Sequence, residues 1–400
     1  MSTEKILIHI SGLDKPGVTA FLLKQCLEYK AKILDIGQSV LHGNLNLSAL
    51  VELVNKDSFV ANIKSWVNEQ ELNLSIRSLQ SADQNNESLR LKNSFCVTMI
   101  GDLHNHPVLS KLTKILADKK LNIVEIKTLT NESLSGVEFT VHPKENRFNQ
   151  ESFLSSKQAV LSLANKNKID IAFQKNNIFR KNKNLVCFDV DSTFINAEVI
   201  DELADLLDKK AHVAKITQSA MNGDIDFPQA LIERVKLLEG LRVDKAIAMA
   251  KQLPLSKGVV DFAKVLKKLG LKVGLVSGGF DFFVNILKEK YNLDFGFANQ
   301  LEVRNGKFTG KVIGEIVGPA RKAQILRDMA QVYSISLDQC VAVGDGANDI
   351  EMLKAAGLGI AYDGKKALKD VAHGQINSQN MHSMFFLLGY HNLEIQDFLK

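Results

Sequence analysis

Two acidic residues one position apart follow an apolar run near the middle of the chain. The run Leu185–Phe188 carries no charge, and Asp189 and Asp191 come directly after it. Like charges this close resist joint ionisation unless a cation lies between them. Alternate residues of an extended chain point the same way, so both carboxyl groups could reach one reacting atom. The spacing therefore predicts a positive partner, either a metal ion or a basic side chain.

Two more polar stretches follow apolar runs further along the chain. SGG occupies 277–279 after LKVGLV (271–276), and GDGAND occupies 344–349 after CVAV (340–343). In open α/β sheets ligands bind at the carboxyl ends of strands, so we expect these stretches and DVDST (189–193) to meet at one edge. Asp345 and Asp349 would then join the first two carboxylates. Oxygen ligands of this kind suit Mg²⁺.

Each stretch taken alone has another interpretation. DVDST could be part of an EF-hand loop, but Thr193, Phe194 and Ile200 stand where that loop needs an oxygen ligand, a glycine and a glutamate. GDGAND could be a polar turn before a helix, and SGGF a tight turn. The convergence of all three at one sheet edge favours a site.

A phosphate group would find its own partners near these acids. Ser277 offers a hydroxyl, and we expect the amides of Gly278 and Gly279 to open a helix, where anions are favoured. Lys322, in GPARKAQIL (318–326), could neutralise the remaining charge, with Arg321 as the competing candidate. The chain has no GxxxxGK[ST] motif, which excludes a P-loop enzyme.

The elements that position these residues form a third block, at 184–395. Short apolar strands alternate with helical segments, which predicts a parallel sheet covered on both faces. LEVRNGKFTGKV (301–312) predicts a hairpin around Asn305–Gly306. The segment at about 199–256 shows no strand pattern and predicts a helical cap.

Two smaller blocks come before it, at 1–82 and 92–176. Each reads as βαββαβ, the order of a ferredoxin-like α+β sandwich. The polar stretch SADQNNES (81–88) predicts a linker between them.

The third block resembles the haloacid dehalogenase-like phosphatases over roughly 185–375, through DVDST, SGG, Lys322 and GDGAND. The longer strings DVDSTFINAEVIDELA, DFPQALIERVKLL and VSGGFDFFVN are similar to members of that family that act on phosphoserine. The first two blocks resemble ACT domains, small amino-acid-binding modules, through SGLDKPGVT (11–19) and more loosely GDLHNHPVL (101–109).

The resemblance implies a role for each acid. Asp189 would be the nucleophile that accepts the phosphoryl group, and Asp191 the general acid and later base. Mg²⁺ would be held by Asp189, the backbone carbonyl of Asp191, and Asp345, with Asp349 supporting it from close by.

The resemblance also implies a set of substrate contacts. The residues that would hold the phosphoryl group are Ser277, Gly278, Lys322 and Asn348. Glu198 would bind the ammonium group of the substrate, Arg234 its carboxylate, and Phe227 would shield the site from water. Without the motifs, Glu198 and Arg234 are typical of surface charge on helices.

The implied reaction is hydrolysis of O-phosphoserine to serine, the last step of serine biosynthesis. One alternative is a phosphotransferase that passes the phosphoryl group to another alcohol such as homoserine. Another is a catalytically inactive amino-acid-sensing protein, against which the intact acidic set argues. The ACT-like blocks imply an amino-acid effector, such as serine, and a homodimer.

Bulk properties bound the remaining function classes. The net charge of +5 is mild and spread along the chain, so it does not predict a nucleic-acid or membrane partner. The four cysteines form no CxxC pair, and the amino terminus lacks the apolar stretch of a signal peptide. We therefore expect a cytoplasmic enzyme. His104 and His106 form an HxH pair, weak evidence for a metal, and we expect a role in a loop or amino-acid site.

Overall fold

The computed structural model describes residues 3–79, 93–103, 107–130, 136–144, 149–222 and 224–399. The chain divides into two compact units, Met1–Glu87 and Ser88–Lys400. His104 and His106 lie outside the described residues, so the prediction made for them stays a prediction. No helix of the described residues is long and apolar enough to span a membrane.

The first unit is a four-stranded antiparallel sheet with two helices in the order βαββαβ. Its strand order is β2-β3-β1-β4. Every second residue in the centre of β1 is buried, as a strand with one buried face requires. On helix α2 the buried residues recur every four positions, at Phe59, Ile63 and Val67. The elements are β1 (Glu4–Leu13), α1 (Val18–Glu28), β2 (Lys32–Leu41), β3 (Asn44–Leu53), α2 (Lys56–Glu69) and β4 (Asn73–Leu79).

The second unit begins with another βαββαβ block, as the sequence predicted. Its strand order, β8-β5-β7-β6, is that of the first sheet. The elements are β5 (Phe95–Ile100), α3 (Val108–Asp118), β6 (Leu121–Thr128), β7 (Gly136–Pro143), α4 (Gln150–Asn167) and β8 (Asp170–Lys175).

A parallel sheet with helices on both faces forms the rest of the second unit, in the order β10-β9-β13-β14-β15. A hairpin of β11 and β12 extends it at one edge and turns at Asn305–Gly306, as predicted. The strands are β9 (Leu185–Phe188), β10 (Lys272–Phe280), β11 (Phe295–Arg304), β12 (Lys307–Ile313), β13 (Cys340–Gly344), β14 (Leu358–Tyr362) and β15 (Gly374–Ile376).

Helices account for the predicted cap and for the layers that cover the sheet. Four lie between β9 and residue 250, in the described part of the predicted cap: α5 (Val199–Asp205), α6 (Lys210–Asn222), α7 (Phe227–Lys236) and α8 (Val243–Ala250). The others are α9 (Val259–Lys268), α10 (Asp281–Lys290), α11 (Pro319–Val332), α12 (Ile350–Ala355), α13 (Lys366–Val371), α14 (Ser383–Leu387) and α15 (Asn392–Leu399).

The two sheets of the second unit are one continuous sheet of eleven strands. Strand β15 pairs antiparallel with β8, Gly374 opposite Ala172 and Gln375 opposite Ile171. Next to this seam the buried Asp170 carboxylate accepts hydrogen bonds from the amides of Asn377 and Ser378, at 2.6 and 2.9 Å. The predicted domain boundary at 176–184 stays a prediction, because the sheet runs across it.

Candidate active site

The carboxyl ends of three neighbouring strands bring the predicted residues together. Strand β9 lies between β10 and β13. Asp189 follows β9, Ser277 lies near the end of β10, and Asp345 follows β13. Because these strands are parallel, their reactive ends share one edge, as the sequence predicted.

Lys322 is the positive partner of the acids. Its Nζ lies 2.6 Å from Asp189 Oδ1 and 2.8 Å from Asp349 Oδ1. All three side chains are buried. Burial alone would lower the pKa of Lys322, but the two carboxylates raise it above its ordinary value, so the ammonium stays charged.

Arg321, the competing candidate, faces elsewhere. Its guanidinium pairs with Glu315 at 3.0 Å and with Asp328 at 3.3 Å. Consecutive residues of a helix point in different directions, so only one of the two neighbours on α11 can reach the acids.

Three carboxylates form a cluster that one lysine cannot neutralise. Ligand oxygens of Asp189, Asp345 and Asp349 all lie within 4.8 Å of one another. Burial, and then the neighbouring Asp349 carboxylate, raise the pKa of Asp345 to about 7 and raise that of Asp189 as well. This excess of buried negative charge and the oxygen-only donor set fit a divalent metal ion.

Asp191 stands apart from the cluster and beside the serine of SGG. One oxygen of its carboxylate accepts the Val199 amide at 2.8 Å, and the other accepts the Ser277 hydroxyl at 3.3 Å. Burial raises the pKa of Asp191, which favours the protonated form that a general acid needs.

The SGG stretch differs in one respect from the expectation. Gly278 and Gly279 lie within β10, and the helix begins only at Asp281. The Gly279 amide donates to Ser277 Oγ at 2.8 Å, within the same stretch. The prediction that both amides open a helix was wrong.

A buried asparagine that sequence reasoning missed holds this stretch in place. Asn299 Nδ2 donates to the carbonyl oxygens of Gly278 at 2.8 Å and Gly279 at 3.2 Å. Its Oδ1 accepts the Val317 amide at 2.8 Å. The available signal was a pair of amide side chains, Asn299 and Gln300, within the otherwise apolar run FGFANQL (295–301).

The cap brings an aromatic ring to the glycines. Helix α7 begins beside Asp226, whose carboxylate accepts the Gln229 amide at 2.8 Å. This start places Phe227 over Gly278, where an added Cβ would lie only 2.9 Å from the Phe227 Cζ. Only glycine at 278 lets the ring approach this closely.

Two opposite charges lie near the Asp191 carboxylate. Glu198 accepts the Ser192 hydroxyl at 2.9 Å, from a residue whose φ of 54° lies in the left-handed region. Partial burial and the Asp191 carboxylate raise the pKa of Glu198 to about 7. Arg234 on α7 is half-buried, and its guanidinium interacts electrostatically with the carboxylates of Glu198 and Asp191.

Asn348 lies in the short turn Ala347–Asp349, next to the cluster. A Cβ added to Gly346 would lie 2.3 Å from Asn348 Oδ1, so the glycine lets this side chain fold over the turn. The predicted residues therefore lie around one centre.

Comparisons with known proteins identify the family of the chain. A model of haloacid dehalogenase-like hydrolases matches residues 183–357, and a model of the ACT domain matches residues 4–77. A phosphoserine phosphatase of Streptomyces coelicolor is 35% identical over 98% of this chain and 93% of its own length. One of Mycobacterium tuberculosis is 33% identical over 98% and 94%.

A solved structure has a similar fold. A crystal structure of a probable phosphoserine phosphatase from Vibrio cholerae is 29% identical, covers 77% of this chain and 90% of its own, and has a TM-score of 0.57. The chain therefore belongs to the phosphoserine phosphatase family of haloacid dehalogenase-like hydrolases, and its first unit contains an ACT domain.

Proposed function

We propose that this protein hydrolyses O-phosphoserine to serine and inorganic phosphate through a phosphorylated Asp189. The observation that carries the proposal is the buried Asp189 carboxylate beside Lys322, with Asp191 in the same strand-end turn. Burial and Asp349 raise the pKa of Asp189, and Lys322 opposes that shift through its 2.6 Å contact. The hydrogen-bond partners of Asp191 are the neutral Val199 amide and Ser277 hydroxyl, and burial favours a proton on it. Two acids two positions apart thus take different roles.

In the first step a carboxylate oxygen of Asp189 attacks phosphorus, and the bond from phosphorus to the serine oxygen breaks. Asp191 gives its proton to that leaving oxygen, so serine departs as a neutral alcohol. Lys322, Ser277 and the Gly278 amide hold the phosphoryl oxygens, and Asn348 contacts them from the neighbouring turn.

In the second step water attacks the phosphorus of the aspartyl-phosphate. Asp191 is now a carboxylate and accepts a proton from that water, which restores its starting form. The bond between phosphorus and the Asp189 oxygen breaks, and inorganic phosphate leaves.

We assign the cation of the cluster as Mg²⁺. Asp189, Asp345 and the backbone carbonyl of Asp191 would bind it, with Asp349 held close behind by Lys322. When bound, the ion neutralises charge on the phosphoryl oxygens and keeps Asp189 and Asp345 ionised. A cluster made only of carboxylates supports a hard cation of this kind.

Glu198 and Arg234 explain why the substrate is an amino acid. A carboxylate pairs with the ammonium group of phosphoserine, and a guanidinium binds its carboxylate through two parallel hydrogen bonds. Phe227, packed on Gly278, closes the site and excludes water that would screen these charges.

The test is phosphate release from O-phosphoserine by the full chain, with Mg²⁺ and with EDTA. We expect Asp189→Asn to lose at least about a thousandfold in kcat, whereas the exposed control Asp370→Asn should keep wild-type activity. Acid quenching during turnover should trap a phosphorylated enzyme. Full activity in Asp189→Asn would refute the covalent route.

We also propose that the second βαββαβ block is ACT-like and that serine acts as effector on these blocks. The first ACT domain supports a homodimer, because strand β2 at its edge exposes Ile33, Leu34, Ile36 and Val40. Light scattering with and without serine tests the dimer, and a serine titration of the phosphatase assay tests the effector.

Four buried free thiols support a reducing, cytoplasmic location for the enzyme: Cys26, Cys96, Cys187 and Cys340. We propose no nucleic-acid or membrane partner.

A further inference from the structure

A cavity of about 220 Å³ lies between the second βαββαβ block and the phosphatase block, away from the active site. One side comes from α4, β8 and the segment that follows β8, and the other from the end of α12 and the segment before β15. The ionisable residues that line it are Lys175, Arg180, Lys183, Lys354, Asp338 and His373.

Two lysines at this junction are buried without a carboxylate partner among the described residues. Lys183 is 8% exposed, and its Nζ donates to the backbone carbonyl of Asp338 at 2.6 Å. Lys157 is 5% exposed and donates to the carbonyl of Val371 at 3.0 Å. A buried ammonium is costly unless a counter-ion compensates it, and a carbonyl supplies no charge.

The other charged residues do not balance these two. Arg180 is committed to a buried ion pair with Glu138, and Lys354 pairs with Glu351 at 3.0 Å. Lys175, at the end of β8, adds a further ammonium. Among the described residues that line the cavity, Asp338 is the one carboxylate. The cavity is therefore positive.

His373 lies in the positive field of these lysines and offers a hydrogen-bond donor. Its Nδ1 accepts the Gly359 amide at 3.0 Å, so the proton of the neutral ring lies on Nε2. Burial, followed by the charges of Lys157, Lys183 and Lys175, lowers the pKa of His373 to about 4. The ring is neutral at physiological pH and can donate to an anion.

We propose that this cavity binds a small oxyanion, a phosphate or a carboxylate, held by Lys175 and Lys183 with His373 as a donor. The anion supplies the counter-charge that the buried Lys183 lacks. It contacts the βαββαβ block through Lys175 and the phosphatase block through His373, so its binding ties the two together.

Isothermal titration of the full chain tests the site, with inorganic phosphate and malonate as separate probes. The protein is first freed of metal ions with EDTA and dialysed, because without a metal ion the carboxylates of the active site repel anions. EDTA is absent from the titration itself, since its carboxylates would compete with the probes, and sodium chloride fixes the ionic strength. Lys175→Met and Lys183→Met should each raise the Kd at least about tenfold, the cost of one charged hydrogen bond.

Two controls separate this site from others. Lys166→Met removes an exposed lysine of α4 outside the cavity, and Ser277→Ala alters the active site; both should keep the wild-type Kd. Binding of one probe alone identifies the class of anion. The proposal is overturned if neither probe binds, if Lys175→Met binds as tightly as the wild type, or if Ser277→Ala abolishes binding. If Lys183→Met does not fold, the Kd of Lys175→Met, a substitution of an exposed residue, is the test of the proposal.

Discussion

Lys322→Met removes the ammonium group and keeps a side chain of similar length. In the structure Nζ contacts Asp189 and Asp349 at 2.6 and 2.8 Å, and no part of the lysine is exposed. The substitution leaves two buried carboxylates beside an apolar group. Removing one partner of a buried ion pair typically costs about 3–5 kcal/mol of stability. We expect a loss of that size for the metal-free second unit at about pH 8.

The loss should depend on pH in a defined direction. An unfolded aspartate titrates near pH ~3.9, and burial without Lys322 raises the folded pKa well above that value. The folded variant then binds more protons than the unfolded chain, so its stability falls as pH rises through this interval. We therefore expect a smaller loss at about pH 5 than at about pH 8.

Urea unfolding in EDTA measures this effect, and the choice of probe matters. The single tryptophan, Trp66, lies in the first unit, so its fluorescence does not report on the unit that holds Lys322. Far-ultraviolet circular dichroism, or hydrogen exchange of strands β9 and β13, does. Lys322→Arg keeps the charge and serves as the control. A loss equal at both pH values, or no loss, would refute the reasoning.

Three further predictions concern the substrate side of the site. Glu198→Gln should lower kcat/KM for phosphoserine about a hundredfold above pH 7. In the wild type, kcat/KM should fall as the pH drops through about 7, where the Glu198 carboxylate protonates, and the variant should lack this acid limb of the pH profile. An unchanged limb in a kcat/KM profile would assign it to another group. Gly278→Ala should lower kcat/KM about tenfold, because the added methyl group displaces the Phe227 ring. In a double-mutant cycle, Gly278→Ala should then have little further effect in a Phe227→Ala background, where the ring is absent. Asn299→Asp should lower kcat at least about tenfold, because a carboxylate would face the two glycine carbonyls. Steady-state kinetics with normal KM and kcat would show that Asn299 does not position the stretch.

The sequence predicted the parts of the site that depend on strand order. Asp189, Ser277 and Asp345 each follow or end an apolar strand, and parallel pairing alone brings such ends together. The residues alone left Lys322 and Arg321 open, and the family resemblance selected Lys322. The structure supplies the physical reason, because Lys322 lies on the face of α11 that points to the acids. Asn299 was missed because its role is a set of backbone contacts, which a side-chain motif does not reveal.

The sequence also did not predict the junction between the second βαββαβ block and the phosphatase block. β15 has only three residues, and its pairing with β8 connects positions about 200 residues apart in the chain. Short strands of this kind carry little pattern, and long-range pairing is set by tertiary packing. The seam and the cavity beside it therefore appear only in the structure.

The continuous sheet has a consequence for how this gene can be cut and recombined. A phosphatase fragment that began at residue 184 would leave β15 as a bare edge with unpaired backbone groups, a template for aggregation. It would also remove the Asp170 carboxylate, so the backbone amides of Asn377 and Ser378 and the Ser378 hydroxyl would lose their hydrogen-bond acceptor. We therefore expect a truncation that removes only the first ACT domain to be more soluble than one that begins at residue 184.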